Sequence, residues 1–372
     1  MPMAAPAAIG QALEGVDTPA LVIDLAAFER NLATLAATVE GRGVRVRAHA
    51  KTHKSPEIAQ RQIAAGAIGM CCQKVSEAEV LVAGGVGDVL VTNEIVGAAK
   101  LARLAALAGR ARIGVCIDDA GNARAVDAAA AAAGTQIDAY IEIDVGAKRC
   151  GIAPGAPALA LARVVAACRN LRLAGLQAYQ GSVQHLRPLA ERRSAIERAA
   201  SAANQTRRLL ESEGIACPVV TGGGSGTFMF EVASGVYDEI QPGSYIFMDA
   251  DYAKNEWGPP LPRFEHALFV LTTVMSRPAA DRAVVDAGLK ASSVDSGLPL
   301  VWERPGLRYT RPSDEHGVIE IAAGAAAPAL GEKLMLVPGH CDPTVNLHDW
   351  YVGVRDGKVE ALWPVAARGA LF

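Results

Sequence analysis

The chain has 372 residues, of which 51% are hydrophobic and 20% charged, and its formal net charge is −3 at pH 7. This length suits two domains or one large barrel with an addition. The nearly balanced charge excludes a strongly basic surface for nucleic acid or anionic lipid, and no apolar run reaches the roughly 18 residues of a membrane-spanning helix. Seven cysteines without paired spacing are typical of reduced thiols. We therefore expect a soluble, cytoplasmic protein with neither a nucleic-acid partner nor a membrane partner.

Short apolar strands alternate with helices along the first two thirds of the chain. We expect residues 1–16 to be a loose leader, and they lack the basic region of a signal peptide. The pattern then predicts a strand at Ala20–Asp24 and a helix at Leu25–Glu40. Eight further strands, separated by helices, are predicted at Val44–Ala50, Ala67–Cys72, Asp88–Thr92, Ile113–Ile117, Ala139–Val145, Leu173–Ala178, Pro218–Thr221 and Glu239–Gln241. Such alternation predicts a parallel sheet, and the count of eight favours a TIM-like (β/α)8 barrel over an open doubly wound sheet.

The pattern changes near Pro262, where strand candidates alternate with turns rich in glycine, proline and aspartate. Asp356-Gly357 is a hairpin signal, because this pair adopts positive φ. The last third therefore predicts a mostly antiparallel β domain. We expect an N-terminal segment at 1–25 that joins the β domain, a barrel at 26–260 and the β domain itself at 261–372.

A lysine between two histidines follows the first barrel strand. Lys51 lies between His49 and His53 at the carboxyl end of Val44–Ala50. A free lysine is protonated at neutral pH, since its reference pKa is about 10.4. Desolvation or a nearby cation lowers that pKa and makes the amine a nucleophile for a carbonyl group. The alternative is a basic strand end that faces solvent.

Polar residues and glycines collect where the predicted barrel strands end. Chemistry in such barrels takes place at the carboxyl ends of the strands, and these positions hold Lys51, Gln73, Asn93, Asp118, Arg149, Tyr179, the loop Gly222–Gly226 and the pair Gly243-Ser244. The strands themselves are apolar. This contrast predicts a catalytic face.

The loop Gly222–Gly226 lies between a strand and a short helix. Glycines let backbone N–H groups approach an anion, and a helix N-terminus adds a favourable dipole. Gly243-Ser244, after the next strand, would complete a phosphate cradle; a plain tight turn is the alternative. A phosphate cradle that faces a strand-end lysine indicates pyridoxal 5′-phosphate (PLP), with Tyr179 either against the cofactor ring or in the core.

A second group of polar residues lies in Pro338–Pro343, after an apolar strand. If this segment is extended, residues i and i+2 point to the same side, and His340 and Asp342 would share a divalent metal. A nitrogen and a carboxylate suit Mn²⁺, Zn²⁺ or Mg²⁺, although the pair alone is a weak signal. His185, after the sixth barrel strand, is either a general base or a structural loop histidine.

Several short motifs together resemble the D-threonine aldolase family, whose relatives include 3-hydroxy-D-aspartate aldolases and, further off, D-serine dehydratases. The motifs are Asp17-Thr18-Pro19, Ile23-Asp24, His49-Ala50-Lys51, Cys71–Lys74, Gln177–Tyr179, Thr221–Gly224 and Pro338–Pro343. The resemblance extends from about Val16 to Gly369. It implies an alanine-racemase-like PLP barrel of fold type III with a β domain, assembled as a homodimer.

The resemblance also implies roles for single residues. Lys51 would bind PLP covalently, His340 and Asp342 would hold the metal, with Mn²⁺ favoured over Mg²⁺ or Zn²⁺, and His185 would lie beside the substrate hydroxyl. Further cofactor contacts are implied for Gln73, Arg149, Tyr179, Ser225, Gly226, Thr227, Gly243, Ser244 and Tyr245. D-serine dehydratases carry His-x-Cys at the metal position, where this chain has His340-Cys341-Asp342, which favours the aldolases.

The implied activity is retro-aldol cleavage of small D-3-hydroxy amino acids. We expect D-threonine and D-allo-threonine to give glycine and acetaldehyde. Two alternatives are 3-hydroxy-D-aspartate, which would give glycine and glyoxylate, and D-serine-type dehydration. The stretches from Val285–Lys290 through Ser293–Gly297, and His348–Gly353, look closer to the hydroxyaspartate enzymes, whereas the N-terminal half, including Gly181–His185, looks closer to the threonine enzymes. A non-catalytic PLP carrier is disfavoured, because known carriers of this fold are single barrels.

Overall fold

The computed structural model describes residues 4–372. Its strands are β1 (Ala20–Asp24), β2 (Arg45–His49), β3 (Gly69–Cys72), β4 (Asp88–Glu94), β5 (Arg112–Ile117), β6 (Ile137–Glu142), β7 (Leu171–Gln177), β8 (Val219–Gly222), β9 (Glu239–Ile240), β10 (Leu268–Ala279), β11 (Arg282–Val285), β12 (Leu300–Val301), β13 (Leu307–Pro312), β14 (Gly317–Ile321), β15 (Lys333–Val337), β16 (Trp350–Arg355) and β17 (Lys358–Pro364). Its helices are α1 (Leu25–Val39), α2 (Pro56–Ala64), α3 (Val75–Ala83), α4 (Ala98–Leu107), α5 (Ala120–Ala133), α6 (Ala156–Ala167), α7 (Leu189–Ser212), α8 (Phe228–Ser234) and α9 (Cys341–Val345).

Strands β2–β9 form a closed parallel barrel in chain order, and α2–α8 follow or separate these strands. The barrel closes where β2 pairs with β9, with Val46 opposite Ile240. Each of the eight predicted barrel strands is present, so the prediction of a (β/α)8 barrel is confirmed. At the amino-terminal end, the buried Arg47 donates to Glu239 at 3.0 Å and to Asp88 at 2.5 Å. Charge pairs therefore fill the end of the barrel that is opposite the predicted catalytic face.

The remaining strands form a second, mostly antiparallel sheet in the order β13-β14-β11-β10-β1-β16-β17, with β15 between β10 and β12. β1 pairs antiparallel with β10 and parallel with β16, so the N-terminal strand belongs to the C-terminal sheet. The predicted β domain is confirmed, whereas the exact boundaries at 25 and 260 stay a prediction. The sequence analysis missed β12, which has two residues, and β13, whose polar side chains weaken the alternation.

The β domain packs on the barrel close to Lys51. Tyr351 of β16 donates its hydroxyl hydrogen to the carbonyl of His53 at 2.7 Å. The buried Lys54 forms an ion pair with Glu77 at 3.0 Å and donates to the carbonyl of Ala367 at 3.3 Å. The turn that carries Lys51 is thereby fixed between the two domains. In the part of the chain that the structure describes, no helix is long and apolar enough to span a membrane.

Candidate active site

A cavity of about 340 Å³ lies at the carboxyl ends of the barrel strands, where the sequence predicts chemistry. Its size is that of a small-molecule site. Ten predicted site residues line it: Lys51, Gln73, Arg149, Tyr179, His185, Ser225, Gly243, Ser244, His340 and Asp342. The structure therefore brings together the lysine, the glycine loop, the His-x-Asp pair and His185, which lie far apart in the sequence.

Lys51 lies in a single 3-10 turn, Ala50–Thr52, directly after β2. Its Nζ atom is 3.1 Å from Oδ2 of Asp342. The charge of Asp342 raises the pKa of Lys51, while burial acts in the opposite direction. This direction is opposite to the lowered pKa that the sequence argument considered, because the carboxylate stabilises the ammonium form.

His49 and Gln73 form a buried polar cluster beside Lys51. His49 Nε2 is 3.1 Å from Oγ1 of Thr92 and 3.0 Å from Nε2 of Gln73, and His49 Nδ1 accepts from the backbone N–H of Lys51 at 3.3 Å. Burial, assisted by the charge of Lys51, lowers the pKa of His49 well below its ordinary value. A neutral His49 therefore lies beside the lysine. The sequence analysis named His49 only as a neighbour and missed Thr92, although His49 ends β2 and Thr92 lies near the end of β4.

Four buried backbone N–H groups on two loops have no hydrogen-bond acceptor within residues 4–372. They belong to Gly224, Ser225, Gly243 and Ser244, all of which line the cavity. Buried backbone donors almost always have a partner. Convergent N–H groups of this kind bind phosphate in many proteins. The residues present therefore fit the phosphate of PLP.

Glycine is required where these loops approach other elements. A Cβ atom on Gly224 would lie 2.5 Å from Oε1 of Gln184, and one on Gly243 would lie 2.6 Å from Oγ1 of Thr52. Both distances are shorter than side chains tolerate. The cradle thus depends on the close packing of bare backbone.

Three predicted cofactor contacts lie behind the cavity wall. The N–H of Gly226 donates to Oε1 of Gln184 at 3.0 Å, and Thr227 donates its hydroxyl hydrogen to Glu231 at 2.9 Å. The hydroxyl of Tyr245 accepts from Nε2 of Gln62 at 3.1 Å. Asn93 and Asp118, the other strand-end residues, are also absent from the lining. Gly226, Thr227 and Tyr245 support the cradle from outside; as cofactor contacts they stay predictions.

Arg149 and Tyr179 face each other at the cavity wall. The guanidinium carbon of Arg149 is 5.9 Å from the centre of the Tyr179 ring, a cation–π distance. Arg149 Nη2 is 3.8 Å from Oε1 of Glu142, at the end of β6. This arrangement places one cation and one aromatic face on the same cavity as Lys51.

His340 and Asp342 line the cavity, but the segment that carries them is not extended throughout. His340 has extended backbone angles and precedes α9, whose first turn contains Asp342. The geometric reason given for the pair was therefore wrong, because Asp342 lies in the first turn of a helix and not in an extended segment. Oδ1 of Asp342 is buried without a hydrogen bond to residues 4–372. A free carboxylate oxygen beside an imidazole fits a divalent cation.

Within residues 4–372, the protein offers no further side chains that complete a coordination shell for such a cation. Among residues 4–372, no group of three or more histidine, cysteine, aspartate or glutamate side chains converges as a metal site. The pair would therefore leave the remaining positions to water or substrate, which is the arrangement of a catalytic rather than a structural metal site.

His185 forms a dyad with Asp251. Its Nδ1 atom is 2.5 Å from Oδ2 of Asp251, and its ring centre is 5.0 Å from that of Tyr252. Burial lowers the pKa of His185, while the charge of Asp251 acts in the opposite direction. A carboxylate on Nδ1 fixes the ring and leaves Nε2 as the proton acceptor. The sequence analysis missed Asp251, which lies in a loop after the last barrel strand and carries no motif.

The fold and this site define a class of protein, the alanine-racemase-like barrels. The sequence profile of the alanine racemase N-terminal domain family matches residues 23–251, and that of a serine dehydratase domain matches residues 267–354. The chain is 53% identical over 364 residues to the D-threonine aldolase of Arthrobacter sp, with 98% of this chain and 96% of the other covered. It is 47% identical over 377 residues to the 3-hydroxy-D-aspartate aldolase of Paracoccus denitrificans (strain Pd 1222), with 98% and 95% covered.

A solved structure agrees over the whole length. The crystal structure of the D-threonine aldolase from Filomicrobium marinum superposes with a TM-score of 0.97 at 53% identity and covers 99% of this chain and 100% of the other. The chain belongs to the family of the D-threonine and 3-hydroxy-D-aspartate aldolases, and these aldolases are lyases. The predicted family and enzyme class are confirmed.

Proposed function

We propose that this protein cleaves the Cα–Cβ bond of D-3-hydroxy amino acids and that D-threonine and D-allo-threonine are its preferred substrates, giving glycine and acetaldehyde. One observation carries the proposal: a single cavity is lined by Lys51, four free backbone N–H groups, the His340–Asp342 pair and His185, which Asp251 holds from behind. The identity of 53% to a D-threonine aldolase supports the same assignment.

Each element of the cavity has a proposed task. Lys51 would hold PLP through its amine, and the N–H groups of the two loops would hold the phosphate. His340 and Asp342 hold a divalent cation, for which Mn²⁺ is our first choice and Mg²⁺ or Zn²⁺ the alternatives. When bound, PLP supplies an electron sink for the pair released at Cα, and the cation supplies a positive charge that lowers the pKa of a nearby hydroxyl group.

His185 is the proposed base. With Nδ1 held by Asp251, its Nε2 atom is free to take the proton of the substrate's β-hydroxyl. Loss of that proton lets the oxygen form the carbonyl of the aldehyde as the Cα–Cβ bond breaks. Glycine remains after a proton is returned to Cα. No water enters the balance, so atoms and charges are conserved between the amino acid and its two products.

The charges in the cavity favour a neutral substrate side chain. Of the lining lysine and arginine residues, Lys51 is assigned to PLP and Arg149 lies 3.8 Å from Glu142, so among residues 4–372 the lining holds no further lysine or arginine for a side-chain carboxylate. Ala147, Gly181 and Ser182 also line the cavity and carry no charge. The methyl group of threonine needs no cation, whereas the side-chain carboxylate of 3-hydroxyaspartate does. The 47% identity to a 3-hydroxy-D-aspartate aldolase keeps that substrate as the second candidate.

The test is a comparison of kcat/KM for D-threonine, D-allo-threonine, 3-hydroxy-D-aspartate and L-threonine, measured with PLP and Mn²⁺ and repeated in EDTA. We expect the two D-threonine diastereomers to be the best substrates and EDTA to abolish turnover. A higher kcat/KM for 3-hydroxy-D-aspartate would make that compound the preferred substrate in place of D-threonine. Full activity in EDTA would show that the reaction needs no metal.

Two further properties belong to the same proposal. All seven cysteines are free thiols, which supports a reducing, cytoplasmic compartment. The homodimer implied by the family resemblance stays a prediction. Light scattering coupled to size-exclusion chromatography tests it, and a mass near 38.6 kDa, that of one chain, would contradict it.

A further inference from the structure

A carboxylate that does not line the cavity contacts the Nδ1 atom of His340. Nδ1 of His340 is 2.8 Å from Oδ2 of Asp295. Asp295 lies in the connection between β11 and β12, 45 residues before His340, and does not line the cavity. It has no task in the proposed reaction.

The loop around Asp295 is fixed at several points. Ser293 and Ser296 each donate a hydroxyl hydrogen to the Asp295 carboxylate, at 2.8 Å and 3.0 Å. The N–H of Ser293 donates to Oγ1 of Thr344 in α9 at 3.1 Å. Two of the three anchors therefore orient the carboxylate itself, and the third ties the loop to the helix that carries Asp342.

The same loop also touches the residue before His340. A Cβ atom on Gly339 would lie 1.9 Å from the carbonyl oxygen of Gly297, so the two backbones are in direct contact. Only glycine permits this approach at position 339. The distance between Asp295 and His340 is thus set by backbone packing on both sides and not by a freely rotating surface side chain.

We propose that Asp295 is a positioning residue for the divalent cation: its carboxylate accepts the Nδ1 hydrogen of His340 and so leaves Nε2 as the metal-binding atom. The inference rests on the proposed function in one respect, namely that His340 and Asp342 bind a metal. A histidine ligand usually donates its second ring hydrogen to such an acceptor, which fixes the tautomer and the ring orientation and increases ligand basicity.

Two simpler explanations lead to different expectations. An ordinary surface ion pair between a half-exposed aspartate and a histidine contributes little to stability and nothing to metal affinity. A third metal ligand would make Asp295 part of a three-residue cluster, which is absent from residues 4–372. A positioning role predicts weaker but not abolished metal binding.

The test measures Mn²⁺ affinity of the full-length protein directly, by isothermal titration calorimetry and by the electron paramagnetic resonance signal of free Mn²⁺. We expect Asp295→Ala to bind Mn²⁺ about 10- to 100-fold more weakly than the natural protein. Asp295→Asn keeps an acceptor oxygen without the charge, so its affinity for Mn²⁺ should lie between that of the natural protein and that of Asp295→Ala. His340→Ala should show no specific binding.

Asp281→Ala is the matched control, because Asp281 is an exposed aspartate in the same domain, in the turn between β10 and β11. Thermal unfolding in EDTA, and the absorbance of bound PLP, should be the same for all aspartate variants if Asp295 acts only through the metal. Wild-type Mn²⁺ affinity in Asp295→Ala would overturn the inference and leave the proposed function standing. Absence of Mn²⁺ binding by the unmodified protein would overturn both.

Discussion

The replacement of Gly243 by alanine tests the phosphate cradle by the addition of one methyl group. The backbone of Gly243 has φ −113°, which alanine adopts without strain. The new Cβ would lie 2.6 Å from Oγ1 of Thr52, 3.1 Å from the carbonyl oxygen of His49 and 3.2 Å from Cβ of His49. All three atoms belong to the segment that carries Lys51.

The magnitude follows from this geometry. Ordinary contact begins near 3.4 Å, so Thr52 and Gly243 would have to separate by roughly 0.8 Å. Either the turn that presents Lys51 or the loop that presents two of the four N–H groups has to move. Overpacking of this kind costs about 1–3 kcal/mol. If binding of PLP restores the original spacing, its affinity falls by about 5- to 150-fold.

The assay is a titration of the apoprotein with PLP, followed by absorbance and by quenching of tryptophan fluorescence. Gly87→Ala is the matched control, because a Cβ at Gly87 has no heavy atom within 4 Å. We expect wild-type affinity for Gly87→Ala and the stated loss for Gly243→Ala. Equal affinities for the two variants would refute the assignment of the Gly243-Ser244 loop to the cofactor.

Three other changes test separate parts of the account. Asp251→Asn should lower kcat about 10- to 100-fold with little change in KM, because His185 loses the charge that orients it. An unchanged kcat would show that the dyad takes no part in the reaction. Arg47→Met should lower the free energy of unfolding by about 3 kcal/mol in urea, since Glu239 is left buried without this partner; a neutral effect would contradict that reasoning. Burial raises the pKa of Glu231 from 4.5 to about 7. The free energy of unfolding of the wild-type protein should therefore fall as the pH rises through this range, and that of Glu231→Gln should fall less. Parallel pH profiles of the two proteins would show that Glu231 titrates normally.

Local hydrophobic patterns in the sequence predicted most of the fold. The eight barrel strands are short apolar runs bounded by turns, and the helices between them follow the period that apolar faces require. The elements that were missed lack such a pattern. β12 has two residues, β13 includes two arginines and a proline, and α9 has five residues after a Pro-Gly pair.

The site was predictable where one strand end or one loop supplies the residue, and not where two distant segments meet. Lys51 and the glycine loop follow directly from the barrel. Asp251 was missed, and Asp295 was named only as part of Ser293–Gly297, because their histidines lie in other segments and a lone aspartate in a loop has no sequence signal. The raised pKa of Lys51 has the same origin, since Asp342 comes from the other domain.

The most direct test of the central claim is the identity of the bond that breaks. Purified protein with PLP and Mn²⁺ is incubated with D-threonine, and glycine, acetaldehyde, 2-oxobutanoate and ammonia are quantified together. The account predicts glycine and acetaldehyde in equal amounts, with Lys51→Ala inactive. Formation of 2-oxobutanoate and ammonia in place of glycine would contradict it and would assign the cavity to dehydration.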